Sequence, residues 1–323
     1  AGFVLAKNQL CIRDRSEQSL NFDNILTANI ELQTPKVIEN DWRFLIIEAD
    51  NYRIEFNKHN GYLSRWQVKG TDLLNEGGSL TPNFWRAPTD NDFGANLQNK
   101  LAVWKNPGLR LESFEQAIED GLVVVRAQYD MRAVSSKLHL TYRINNQGSI
   151  EVTQKMTAGA DAKAPELFRF GMQLQMPLLM DRIEYYGRGP IENYSDRNNS
   201  TDLGIYKQTV EEQFYPYIRP QENGNKTDIR WWKQTNAGGR GIKIRSVAPF
   251  SASALNYSIE SLDDGPSKGQ RHSQQIPKVD YTNLCIDKVQ MGLGSVNSWG
   301  AMPRDEYRLP HQDYEFQFVM EVR

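Results

Sequence analysis

Apolar and polar positions alternate with a period of two along much of the chain, and this pattern predicts strands. It is plain in Arg53-Ile54-Glu55-Phe56, in Leu138-His139-Leu140-Thr141-Tyr142-Arg143-Ile144 and in Ile150-Glu151-Val152-Thr153. Asn145-Asn146-Gln147-Gly148, between the last two, reads as a hairpin turn, because Asn and Gly tolerate positive φ. Tyr314-Glu315-Phe316-Gln317-Phe318-Val319-Met320-Glu321-Val322 predicts a closing strand, and Leu122-Val123-Val124-Val125 a short buried one. Amphipathic segments of period 3.6 are absent at any length; the best helix candidate is a short one over residues 97–104. Many strands broken by Gly, Asn and Pro turns predict an all-β sandwich or barrel. Residues 39–323 show no linker and are read as one large antiparallel two-sheet domain.

Residues 1–38 have a different pattern. Phe3-Val4-Leu5-Ala6 and Asn29-Ile30-Glu31-Leu32 read as two strands around a polar loop at 13–24, and Thr34-Pro35-Lys36 punctuates the join. Two strands cannot bury a core of their own. They are read as the remnant of an Ig-like β-sandwich domain; docking on the large domain is the alternative.

Composition narrows the function. Hydrophobic residues make up 39% of the 323, enough for a substantial core. The formal net charge of -2 argues against a nucleic-acid partner, since neutralising phosphates needs a basic surface. No run of about 18 apolar residues offers a membrane-spanning helix, and residues 1–12, with Lys7, Asn8 and Gln9, lack a signal-peptide pattern. Cys11 and Cys285 lie far apart and are read as two unpaired thiols. The four histidines are scattered, so no zinc site built by the protein is expected. Seven tryptophans and 14 tyrosines are the informative excess, several of them in polar loops. An aromatic face among polar groups suits a sugar, whose C–H face packs on the ring while neighbours take the hydroxyls.

Three stretches concentrate the chemistry. Asn83-Phe84-Trp85-Arg86-Ala87-Pro88-Thr89-Asp90-Asn91-Asp92-Phe93-Gly94 offers side chains that can accept from sugar hydroxyls or hold a cation; a turn whose carboxylates cap backbone N–H groups is the plainer alternative. The stretch over 185–197 carries Glu192, and Gln213-Phe214-Tyr215-Pro216-Tyr217 leads on to Pro220-Gln221-Glu222-Asn223-Gly224. A retaining glycosidase needs two carboxyl groups about 5–5.5 Å apart. With Arg188 and Arg197 at hand, however, a buried ion-pair network is the better expectation for Glu192 and Glu222. Met291-Gly292-Leu293-Gly294-Ser295-Val296-Asn297-Ser298-Trp299-Gly300 surrounds one indole with small residues, which favours an exposed tryptophan over an equally possible core one.

Together these stretches resemble the carboxyl-terminal domain, or small-chain region, of glycoside hydrolase family 2 β-galactosidases. That domain carries Arg-Ala-Pro-x-Asp-Asn-Asp-x-Gly, matched from Arg86 to Gly94; Gly-x-Gly-Pro-x-Glu-Asn-Tyr-x-Asp-Arg, matched from Gly187 to Arg197; and Met-Gly-x-Gly-x-x-x-Ser-Trp, matched from Met291 to Trp299. A Tyr-x-Pro-Tyr-x-x-Pro-x-Glu-Asn-Gly motif is matched by Pro216, Tyr217, Pro220, Glu222, Asn223 and Gly224, with Tyr215 shifted to stand directly before Pro216. The resemblance covers essentially the whole chain and implies a supersandwich like that of galactose mutarotase. It implies a parent that hydrolyses terminal β-D-galactosides such as lactose with retention and assembles as a homo-oligomer. The two catalytic glutamates, and the magnesium and sodium sites, belong to a (β/α)8 barrel absent from this sequence, so neither a catalytic residue nor a metal ligand is expected here. What the resemblance assigns to this chain is the rim of the substrate site. Trp299 stacks on the sugar mainly on the leaving-group side, Asn297 stands beside it where a relative has Asp, and Asn91 and Gly94 belong to a nearby loop.

Three alternatives stand beside this expectation. A free-standing mutarotase needs a histidine pair and a glutamate around the sugar, and the histidine contexts do not match. A free carbohydrate-binding module would use Trp85, Trp231, Trp232 or Trp299; Trp231 and Trp232, adjacent in a strand, point to opposite faces, so one at most serves a groove. A purely structural domain that buttresses the barrel is compatible with the rim.

Overall fold

The computed structural model describes residues 34–323 apart from Asp161, Gln270, Ser295, Val296, Ser298 and Trp299. The two strands expected within residues 1–33 lie outside the described residues. Seventeen strands follow in chain order: β1 (Lys36–Asn40), β2 (Phe44–Ala49), β3 (Tyr52–Asn57), β4 (Tyr62–Val68), β5 (Thr71–Asp72), β6 (Leu80–Asn83), β7 (Leu109–Glu119), β8 (Leu122–Met131), β9 (Ser136–Ile144), β10 (Ile150–Ala158), β11 (Arg169–Pro177), β12 (Arg182–Gly189), β13 (Asp202–Thr209), β14 (Lys226–Thr235), β15 (Gly241–Leu255), β16 (Tyr281–Gln290) and β17 (Tyr314–Val322). Among the described residues helix is confined to single turns: α1 (Asp90–Gly94), α2 (Leu97–Lys100), α3 (Val210–Gln213), α4 (Ile259–Leu262) and short 3-10 segments. The helix expected over 97–104 is α2 followed by a 3-10 turn at Ala102–Lys105.

Every strand named from the alternation is present, and β17 has the expected ends. The period of two shows directly in β9, where Leu138, Leu140, Tyr142 and Ile144 are buried and His139, Thr141 and Arg143 are less so. The β9–β10 turn is held by Asn145, whose Oδ1 accepts from the backbone N–H of Gln147 and of Ser149, each at 3.0 Å. Gly148 supplies the positive φ of +79°. The strand β1 crosses position 38, where the domain boundary was expected, and pairs with β2.

All pairings are antiparallel and link the strands into one continuous 17-stranded sheet. That sheet doubles over into two layers. One runs β7–β8–β9–β10–β17, and the other β2–β3–β4–β6–β11–β16. The 15-residue strand β15 joins them: Ile242–Ser246 pair with Phe318–Val322 of β17, and Ser251–Leu255 pair with Asn283–Asp287 of β16. Between these halves Val247, Ala248 and Pro249 are exposed and have no ladder partner. Pro249, which has no N–H to donate, therefore costs no hydrogen bond there. The layers meet through aromatic pairs: Phe56 on β3 edge-on to Tyr142 on β9 at 4.9 Å, Tyr62 on β4 stacked with Tyr129 on β8 at 5.7 Å, and Phe170 on β11 stacked with Tyr314 on β17 at 5.1 Å. The Trp66 indole crosses the core to donate to the Gly148 carbonyl at 3.0 Å. The result is the expected all-β antiparallel supersandwich, with inner faces interdigitating to make one core.

Candidate functional site

In the second layer β11 lies between β6 and β16, with Gly171 opposite both Asn83 and Asp287 and Arg169 opposite Gln290. The loops that leave β6 and β16 therefore emerge at the same edge of the sheet. The first contains Arg86 to Gly94 and the second Met291 to Gly300, so the topology brings two of the three sequence motifs together.

The contact between them is made by a buried arginine. Arg86 donates from Nη1 to the Met291 carbonyl at 2.6 Å and from Nη2 to the Gly292 carbonyl at 3.1 Å. The same guanidinium forms a two-bond pair with Asp92, Nη2 to Oδ1 at 2.7 Å and Nε to Oδ2 at 3.1 Å, and lies over the Phe168 ring at 4.6 Å. Asp92 is in turn locked by a capping box: its Oδ2 accepts from the Thr89 N–H at 2.8 Å, and the Thr89 hydroxyl accepts from the Asp92 N–H at 3.2 Å. Asp92 is thus a structural carboxylate, as the plainer alternative had it. Asn91 donates from Nδ2 to the Leu293 carbonyl at 3.1 Å.

The third motif closes the ring of contacts. Asp196 accepts from the backbone N–H of Leu293 at 3.1 Å and of Gly294 at 2.6 Å. A Cβ at Gly292 would stand 2.5 Å from Asp196 Oδ2, so the approach requires glycine there. Beyond the undescribed tip, Gly300 adopts φ +93°, and a Cβ on it would lie 2.9 Å from the Gly94 carbonyl oxygen. The loop over 291–300 is therefore held at its first end by Arg86, Asn91 and Asp196, and at its last residue it passes close to Gly94. Asn297 is exposed, as is Gly94. Trp299, the residue on which the expected sugar contact rests, lies outside the described residues.

Asp90 faces outward and pairs with Arg219 Nε at 3.2 Å and Lys268 Nζ at 2.9 Å. The two glutamates that suggest an acid/base pair have separate ionic partners. Glu192 takes Arg197 Nη2 at 2.5 Å, the Tyr217 hydroxyl and the Gly224 N–H at 2.8 Å. Glu222 takes Arg169 Nη2 at 2.9 Å. The ion-pair expectation holds, with one correction. Arg188 serves neither glutamate but pairs with Asp228 at 2.5 Å. Arg169 was missed, because it lies 53 residues from Glu222 and in a strand that carries no motif. It also faces Asp287, Nε to Oδ2 at 3.7 Å. Two buried carboxyls share one guanidinium, and burial, with Glu222 adding to it, pushes Asp287 up to about 7.

The remaining tryptophans correct the binding-module alternative. Trp85 is buried edge-on to Phe168 at 5.0 Å and donates to Asp263, and Trp232 is buried and stacked on Tyr185 at 5.3 Å. Neither offers a face to a ligand. Trp231 points to the opposite side, as the strand geometry requires, and sits between Lys233 and Lys243, with the ammonium groups 4.9 and 5.2 Å from its ring centre. Among the described residues no group of three or more His, Cys, Asp or Glu side chains is placed to hold a metal ion.

Comparison with known proteins agrees with the motifs. Residues 48–320 match the family described as beta galactosidase small chain. A β-galactosidase of Priestia megaterium is 34% identical over 281 residues, covering 84% of this chain and 26% of the relative. A β-galactosidase of Vibrio cholerae is 29% identical over 339 residues, covering 100% of this chain and 31% of the relative. The chain spans between a quarter and a third of the length of the curated relatives it matches. Among solved structures, a putative aldose 1-epimerase of Escherichia coli K12 aligns with 87% of this chain and 98% of its own at 11% identity and a TM-score of 0.47.

Proposed function

Because the chain belongs to the β-galactosidase small-chain family, we propose that it is the carboxyl-terminal part of an enzyme that hydrolyses terminal β-D-galactosides with retention, and that it completes the rim of the substrate site without supplying the catalytic carboxylates. One observation carries this reading. Two motifs distant in sequence commit a buried arginine, an asparagine and a half-buried aspartate to holding the first residues of a single loop, residues 291–300. Positioning of that kind is costly unless the tip has a task, and a fixed loop end that bears an indole lowers the entropy lost when a sugar stacks on it. Asn297, beside Trp299, and Asn91 and Gly94, which lie against the loop, are assigned to the same rim. Glu192 and Glu222 are assigned to structure, because each is tied to an arginine, Glu192 to Arg197 and Glu222 to the Arg169 that also faces Asp287.

The partner required is a (β/α)8 domain that bears the two glutamates, and the magnesium and sodium of the resemblance belong there. In the whole enzyme, Trp299→Ala should raise KM for a chromogenic galactoside severalfold, with a smaller change in kcat. Steady-state kinetics indistinguishable from the parent's would remove Trp299 from the rim.

A further inference from the structure

The turn that follows β12 does more than hold the rim. Asp196 grips the 291–300 loop, while the next residue, Arg197, lines a cavity of about 430 Å³ between that turn and the chain leading from α3 into β14. This volume is within the roughly 300–1,000 Å³ of small-ligand pockets. Its walls come from the two motifs around Glu192 and Tyr217, which the rim leaves largely unused.

The polar wall has hydrogen-bonding capacity to spare. Lys226 is buried, and its ammonium group donates to Gln213 Oε1 at 3.1 Å and to the Gly224 carbonyl at 2.9 Å, two of the three N–H groups it has when charged. Neither partner is a carboxylate, and burial pushes this amine down to about 7 against the pull of Glu192. Arg197 commits Nη2 to Glu192 and Tyr217. Gln208 commits its carbonyl oxygen to Gln213, which leaves its amide group. Glu212 uses Oε2 on the Thr209 cap and keeps Oε1. Glu192 and Glu212 stand against Arg197 and a Lys226 amine that burial partly discharges, so the wall has no excess positive charge to draw an anion.

The lining also includes aromatic rings. Phe214 stacks on Tyr257 at 4.2 Å, and Tyr215 lies against Tyr217 at 4.6 Å while remaining 58% exposed. A half-exposed ring beside balanced donors and acceptors suits a ligand with an apolar ring face and many hydroxyls. We propose that this cavity is a binding site for a neutral pyranose sugar, separate from the rim. None of the rim residues lines it, so failure of its test leaves the rim untouched.

The test is titration of the 323-residue chain with methyl β-D-galactopyranoside, followed by saturation-transfer NMR. The expected result is saturable binding that Tyr215→Ala and Lys226→Met each weaken by about tenfold. Tyr215 is exposed, so Tyr215→Ala keeps its fold, checked by circular dichroism, and carries the test alone should Lys226→Met unfold. No saturable binding to the unaltered chain, or unaltered binding to folded Tyr215→Ala, overturns the site. Tighter binding of galacturonate than of the neutral glycoside overturns the charge argument.

Discussion

Arg86 and Asp92 form a two-bonded ion pair whose side chains are both out of contact with water, and the same guanidinium carries two carbonyls of the 291–300 loop. Such a pair contributes little net stability against an apolar replacement, but removing one partner strands a buried charge. Its worth lies in geometry: a planar fork can serve a carboxylate on one side and two carbonyls on the other, which an ammonium cannot. Arg86→Met, which strands the Asp92 carboxylate, should therefore destabilise the chain by about 3–5 kcal/mol, read as a fall in urea midpoint. A loss below about 1 kcal/mol would mean that the fork is dispensable.

Asp196 tests whether the loop is held or merely near. Asp196→Ala removes the acceptor of two backbone N–H groups, at a cost of about 1–3 kcal/mol. Amide exchange at Leu293 and Gly294 should quicken while the amides of β16 keep their protection. Uniform acceleration across β16 would instead mark general destabilisation.

Two of the buried titratable groups, Asp287 and Lys226, set opposite pH limbs. Asp287 has its folded pKa raised from 3.8 to about 7, so the folded state holds the extra proton between those values. Its contribution is complete below 3.8 and is lost as pH rises through about 7. Lys226 has its folded pKa lowered from 10.5 to about 7, so the unfolded state holds the extra proton across that span and stability recovers as pH rises. Denaturation at stepped pH should show the falling limb flattened in Asp287→Asn and the rising limb flattened in Lys226→Met. An unchanged acidic limb in Asp287→Asn would assign that limb to other groups.

Adjacent tryptophans give a control for burial. Trp232→Ala empties the core beside Tyr185 and should cost about 3–5 kcal/mol. Trp231→Ala removes a half-buried ring flanked by two lysines and should cost less than about 1 kcal/mol. Equal losses would contradict the assigned faces.

As for catalysis, the chain alone should release no nitrophenol from a chromogenic galactoside above the buffer rate. Activity that copurifies with it and vanishes in Glu192→Gln or Glu222→Gln would reinstate those residues as catalytic.

Much of this was legible in the sequence wherever the signal is local. The alternation in β3, β9, β10 and β17, the Asn145 turn and the opposed faces of Trp231 and Trp232 each follow from residues within one strand or turn. The motifs marked the right loops as well. Partners across the fold were not legible. Arg86 meets the Met291 carbonyl 205 positions away, and Arg169 sits in a strand with nothing to single it out. Arg188 was the nearer candidate for a glutamate, yet strand pairing delivers it to Asp228. Trp85 stands in a polar loop and is nevertheless buried, because that loop folds back over Phe168.

The long strand β15 belongs to both walls of the sandwich. The molecule is thus a single ribbon creased near Pro249, and neither wall can be lifted away as a module. A nick or insertion at the crease would unseat β16 and β17 together, and through β16 the root of the loop that carries the indole. A graft of this rim onto another scaffold therefore has to bring the whole ribbon with it.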